Sequence, residues 1–142
     1  MDISIKNLQT RIPIRLPAVK RAAYRTLRYL GHSRAEISIV FVSPQRMKSL
    51  NARHLRHYYS TDILTFDYRT PADSSLAAEI VICPSVARAN ALLYKRSLMD
   101  EIRLYVVHGL LHLTGYDDGS AKDTAAMRHK EAEIISFLDG KR

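Results

Sequence analysis

Apolar residues recur at every second position early in this chain and at helical spacing late in it, and that asymmetry constrains the fold more than any single residue does. Residues 2–8 alternate polar and apolar and predict a first strand. From Pro17 the spacing turns helical, with Val19, Ala22, Ala23, Leu27 and Leu30 on one side, Lys20, Arg21, Arg25 and Arg28 largely on the other, and Gly31 at the exit. The β-branched run 36–42 predicts a second strand. Ser43-Pro44 then reads as an N-cap with proline at the first helical position, opening a helix to about Leu55. Residues 62–68 and 76–83 predict two further strands across the turn-forming stretch 69–75. After them come helices only: one capped by Ser85 and running to about Lys95, a long one capped by Ser97, and a last one opened by Ser120 with Asp123 and running to about Leu138. The predicted order is β-α-β-α-β-β-α-α-α, without internal repeat. Strands early and helices late fit an α+β fold, a small mixed four-stranded sheet packed with about five helices, better than a doubly wound parallel sheet.

The 142 residues suffice for one core and not for two, and no Pro-, Gly- or Ser-rich stretch divides them, so residues 1–142 are expected to form a single domain. No apolar run reaches the length of a membrane span. The N-terminus Met1-Asp-Ile-Ser-Ile-Lys6 lacks the basic start and apolar middle of a secretory signal, so a cytoplasmic protein with no membrane partner is expected. Cys83 is the only cysteine; it has no partner for an intramolecular disulfide and reads as a buried thiol. The charge balance is less ordinary: 22 Lys and Arg against 14 Asp and Glu give a formal net charge of +8. That suits a polyanionic partner, although a solvated basic face accounts for it equally well.

The chemistry concentrates in His108-Gly-Leu-Leu-His112-Leu-Thr-Gly115-Tyr-Asp117-Asp118, on the long late helix. Histidines four apart lie on one face of a helix, and Gly115 lets the chain leave it in a left-handed conformation that carries the acidic pair back toward them. Zinc favours nitrogen ligands, tolerates carboxylate oxygen, and in catalytic sites commonly takes three protein ligands and a water, which then loses a proton near neutral pH. His108, His112 and Asp118 would supply three. Histidines at this spacing also occur as ordinary helix residues, and the residues alone leave both readings open. A zinc peptidase would carry a glutamate directly after the first histidine; Gly109 stands there and cannot act as a base. Glu101, two turns upstream, reads as a solvated helix residue.

The stretch His108-Gly-x-Leu-His-Leu-x-Gly-Tyr-Asp117 resembles the signature of the YbeY family of bacterial rRNA maturation endoribonucleases. Leu50-Asn51, Thr61-Asp-Ile-Leu-Thr-Phe66 and Ala78-Glu-Ile-Val-Ile82 resemble further elements of that family in order and spacing, so that the likeness extends from about residue 36 to 138. The resemblance implies a metal-dependent endoribonuclease specific for single strands, which matures the 3′ end of 16S rRNA and supports ribosome quality control. Its partners would be single-stranded RNA and the small ribosomal subunit, and its cofactor Zn2+, one per chain. Carried over by position, His108, His112 and residue 118 are the metal ligands. The family usually has histidine at 118 where this chain has Asp118, which suits zinc but alters affinity or metal preference. Asp117 is the alternative carboxylate, although in the family pattern it precedes the ligand.

His108 is expected to serve catalysis as well as binding. The family's functional arginine falls on Leu55; the adjacent Arg56 takes the catalytic role by expectation, with Arg53 as the alternative, either bringing a guanidinium to a phosphate. Tyr58 and Tyr59, beside His54 and His57, offer stacking surfaces for unpaired bases, or else cover the sheet edge. Asp62 reads as a turn residue, Phe66 as core, His32 as a loop residue and His129 as part of a solvated face. Two rival functions fit the same residues: a noncatalytic RNA- or ribosome-binding module, and a metal hydrolase of another substrate class.

Overall fold

The computed structural model describes residues 1–54, 63–70, 72 and 75–140. Among them are strands β1 (Asp2–Asn7), β2 (Ala35–Phe41), β3 (Ile63–Asp67) and β4 (Leu76–Ile82). The helices are α1 (Leu16–Tyr29), α2 (Pro44–His54), α3 (Pro84–Leu93), α4 (Leu98–Leu113) and α5 (Ala121–Leu138). The order is the one that the hydrophobic periods predict. The strands lie in the order β1-β2-β4-β3, with β1, β2 and β4 mutually parallel and β3 antiparallel to β4. The sheet is therefore mixed and the fold α+β.

Alternation along the strands sends two sets of side chains to opposite faces. Ile37, Ile39 and Phe41 of β2 and Ile80 and Ile82 of β4 pack on Val19, Ala23 and Leu27 of α1 and on Ile102, Val106 and Leu110 of α4. The other face, Val40, Val42, Leu64, Val81 and Cys83, is covered by Met47 of α2; Cys83 is fully buried, and Phe66 packs half-buried at the margin. Beyond α4, Val107 and Leu111 meet Met127, Ile134 and Leu138 of α5 together with Ala22 of α1. α4 thus lies between the sheet and α5, which is why its sequence is apolar on more than one side. Full burial of a leucine such as Leu110 or Leu111 contributes about 1.5–3 kcal/mol relative to exposure.

Serines cap α2, α4 and α5, while α1 opens after Arg15 with no side-chain cap and Pro17 in its first turn. Ser43, Ser97 and Ser120 each accept a hydrogen bond from the backbone N–H three residues on, at 3.2, 3.0 and 3.1 Å. At α3 the expected cap, Ser85, lies inside the first turn. Cys83 occupies the cap position without a side-chain bond, and Pro84, whose missing N–H needs no cap, begins the helix. The same helix ends at Leu93, short of the expected Lys95, which instead takes a φ of 55° in the turn to α4. Glu101 also departs from expectation. It is only 2% exposed, and its carboxylate receives Arg96 at 3.0 Å, so the charge that reads as solvated in sequence is a buried clamp across the α3–α4 turn.

Candidate metal centre

The site grows from the way α4 approaches the sheet. At Gly109 a Cβ would stand 3.1 Å from Ile63 Cδ1, 3.2 Å from Ile80 Cδ1 and 3.3 Å from Thr65 Cγ2, so the helix sits closer to β3 and β4 there than a side chain comfortably allows. With Gly109 turned to the sheet, His108 and His112 fall on another side of the helix, each about a third exposed, at 29% and 30% of the side chain. Their rings meet edge-on with centroids 4.7 Å apart.

The chain then reverses as the sequence predicts. Thr114 ends the helix, Gly115 takes a φ of 110°, and Tyr116 N–H reaches back to the Leu111 carbonyl at 3.0 Å. Asp117 and Asp118 separate in the returning loop. The Asp117 carboxylate accepts the Asp118 N–H at 2.7 Å, a bond that uses it to shape the turn. Asp118 points the other way, with Oδ2 3.7 Å from His112 Nε2. Its carbonyl accepts the Thr124 hydroxyl of α5 at 3.1 Å, which fastens the loop to the next helix. The result is a group of three potential ligand atoms, one each from His108, His112 and Asp118, all within 4.8 Å of one another.

Two residues that sequence reasoning missed support this arrangement. Glu131 of α5 hydrogen-bonds through Oε2 to His108 Nδ1. Arg69, just past β3, donates to Asp67 at 2.6 Å and to the Leu113 carbonyl at 2.7 Å, tying the end of α4 to the hairpin. A cation at a helix C-terminus also opposes the negative end of the helix dipole. Bonding to this guanidinium holds the Asp67 carboxyl below its usual range. Neither residue carries a motif; Arg69 lies in the stretch that reads as a turn, and Glu131 sits in a mixed-charge run with His129 and Lys130. His129 is exposed and His32 half-buried in a loop, as expected. Arg53 is exposed near the end of α2. Arg56, together with Leu55, His57, Tyr58, Tyr59 and Asp62, lies outside the described residues, and so does the side chain of His54.

The donor set fits a divalent metal. Two imidazoles and a carboxylate on two sides of a reversing turn offer nitrogen and oxygen ligands, and three protein donors leave coordination positions for solvent or substrate. Fold and site together define an α+β protein with a His-His-Asp group at the end of a buried helix. Residues 4–139 match the family described as Endoribonuclease YbeY. The Endoribonuclease YbeY of Syntrophus aciditrophicus (strain SB) is 31% identical over 99% of this chain and 91% of its own length. That of Helicobacter pylori (strain J99) is 40% identical over 72% and 71%. A solution structure of a Thermotoga maritima protein superposes with a TM-score of 0.68 at 23% identity, covering 97% of this chain and 89% of that one; it has the same fold. The chain belongs to the YbeY endoribonuclease family. No helix among the described residues is long and apolar enough to cross a membrane.

Proposed function

We propose that this chain, acting as one domain over residues 1–142, is a metal-dependent endoribonuclease. Its substrate is single-stranded RNA, with the 3′ end of 16S rRNA in the small ribosomal subunit as the physiological target, and it contributes to ribosome quality control in the cytoplasm. The observation that carries this reading is the convergence of His108, His112 and Asp118 in a member of an endoribonuclease family. The net charge of +8 accords with a polyanionic substrate.

In this reading His108, His112 and Asp118 hold one Zn2+. A divalent ion there supplies Lewis-acid chemistry, offsetting charge on a phosphodiester and easing deprotonation of a water or ribose hydroxyl. The protein's own residues do the rest. Gly109 sets the depth of α4, Gly115 and the Asp117 turn deliver Asp118, and Arg69 fixes the end of the helix against the hairpin. A guanidinium from Arg56, or from Arg53 in the same run, stabilises charge on the phosphate as the bond breaks. Aspartate at position 118 makes the donor set harder than three histidines, which shifts its preference toward ions such as Mn2+.

The test is cleavage of single-stranded and duplex RNA by purified protein and by His108→Ala, together with the metal content of wild type and Asp118→Ala. Cleavage confined to single strands is expected. His108→Ala should lower it by about a hundredfold or more, since Lewis-acid stabilisation amounts to several kcal/mol, and Asp118→Ala should lose metal. A 2′,3′-cyclic phosphate on the initial products would identify the ribose hydroxyl as nucleophile, and its absence would identify water. Cleavage unchanged by His108→Ala would replace this reading with that of a noncatalytic RNA-binding module.

A further inference from the structure

Glu131 lies outside the ligand group yet bonds one of its members. Its carboxylate reaches from α5 to Nδ1 of His108 on α4, 23 residues earlier in the chain, and its side chain is only 14% exposed. Cations are available nearby on its own helix, but it pairs with neither. Among the described residues Arg128, one turn earlier, makes no ion pair with it, and Lys130 gives its ammonium to Glu133 at 2.8 Å. Glu131 has thus turned inward, toward a ring that a solvated surface glutamate would have no reason to seek.

The consequence for the ring follows from imidazole chemistry. A carboxylate on Nδ1 favours the tautomer with its proton there, which leaves the lone pair on Nε2. The bond also restricts rotation of the ring. Resting on the metal-centre reading above, we propose that Glu131 is a positioning residue of this centre: by accepting the Nδ1 proton of His108 it fixes tautomer and ring orientation, so that Nε2 is presented to the ion beside His112 and Asp118. Asp118, 52% exposed and on a loop, is the most exposed of the three donors, so tight binding depends on the histidines being held ready.

The experiment is a zinc titration of metal-free protein in competition with a chromogenic chelator, for wild type, Glu131→Gln, Glu131→Ala and the neighbouring control Glu133→Gln. Thermal melting of each metal-free protein separates folding from binding. Glu131→Ala should weaken zinc binding by about 10–100-fold, the usual cost of losing a carboxylate behind a ligand histidine. Glu131→Gln, whose amide oxygen still accepts the Nδ1 proton, should fall between it and wild type, and Glu133→Gln should match wild type. With Co2+ in place of zinc, the visible absorption of Glu131→Ala should shift relative to wild type, as expected for a reoriented imidazole. Zinc affinity in Glu131→Ala equal to that of wild type overturns the proposal while leaving the metal centre intact. If Glu131→Ala does not fold, equal affinity in Glu131→Gln, together with an unchanged Co2+ spectrum, overturns it. A wild-type protein that takes up no divalent ion overturns the metal centre itself, and this proposal with it.

Discussion

The two ends of α4 carry charge in opposite ways. At the N-terminal end Glu101 is buried against Arg96, Ser97 caps the helix, Asn90 donates to the Tyr105 hydroxyl at 2.7 Å, and Arg103 meets Asp139 at the end of α5 at 2.6 Å. These polar groups are matched to one another, with the Glu101 carboxylate buried beneath the more exposed Arg96. At the C-terminal end the rings of His108 and His112 stay about a third exposed and converge on a carboxylate carried by a loop. One end has spent its polar groups on the fold, and the other keeps a partly open donor set. The contrast teaches that burial sorts the acids of this helix pair more reliably than proximity in sequence does. Glu101 lies one turn into the motif helix and is structural, whereas Glu131 comes from another helix and attends the site.

Variants can break this comparison or sharpen it. The largest effect is expected at the point where both properties meet. Gly109→Leu places a branched side chain where even a Cβ lies 3.1–3.3 Å from Ile63, Ile80 and Thr65. Overpacking of this kind costs about 1–3 kcal/mol or more, and it should lower the denaturation midpoint and the zinc affinity together. Survival of tight zinc binding would show that the site tolerates a displaced helix. Next comes Arg96→Ala, which leaves the Glu101 carboxylate buried without its cation. A loss of about 1–3 kcal/mol is expected in chemical denaturation, with zinc affinity unchanged. A drop in zinc affinity would mean that the two ends are coupled through the helix.

The smallest effect belongs to the outer seam between α1 and α5. Glu133 accepts from the Tyr29 hydroxyl and from Lys130, while Arg25 donates to the Leu138 carbonyl at 3.1 Å. The bonds from Lys130 and then from Tyr29 hold the Glu133 carboxyl below its ordinary value. A group whose folded value is depressed contributes stability above its unfolded value and loses it as pH falls through the folded one. Melting temperature should therefore fall between mildly acidic and strongly acidic pH by slightly less in Glu133→Gln than in wild type, and the shift should be small because the pair is exposed. An identical acid dependence in the two proteins would remove Glu133 from the account of the seam.

Much of this was legible in the chain itself. Periods of two and of about 3.6 place the strands and helices because burial on one face is a local, repeating demand. Three serine caps and the exits at Gly31 and Gly115 are equally local, since they satisfy backbone groups a few residues away. The histidine pair and the following acids are close in sequence, so helix geometry and one turn are enough to suggest their grouping. Where the sequence reading erred, the deciding partner was again a matter of detail at a boundary or of burial. At α3, Pro84 displaced Ser85 from the cap, and at Glu101 the α3–α4 turn supplied Arg96 and removed the solvent.

What only the tertiary structure decided concerns residues far apart in the chain. Gly109 looks in sequence like a missing base, and the fold makes it the point where a helix settles onto two strands. One choice within a single turn was also left to the structure: the Asp118 N–H bonds the Asp117 carboxylate, while Asp118 Oδ2 lies 3.7 Å from His112 Nε2. Glu131 meets His108 only after α5 folds back along α4, and Arg69 meets Leu113 only after the hairpin packs against the helix end. The physical reason is range. Backbone satisfaction and amphipathic burial act over a few residues and leave a periodic trace in the sequence, whereas the direction in which a carboxylate or guanidinium points is set by which elements pack together, and that leaves none.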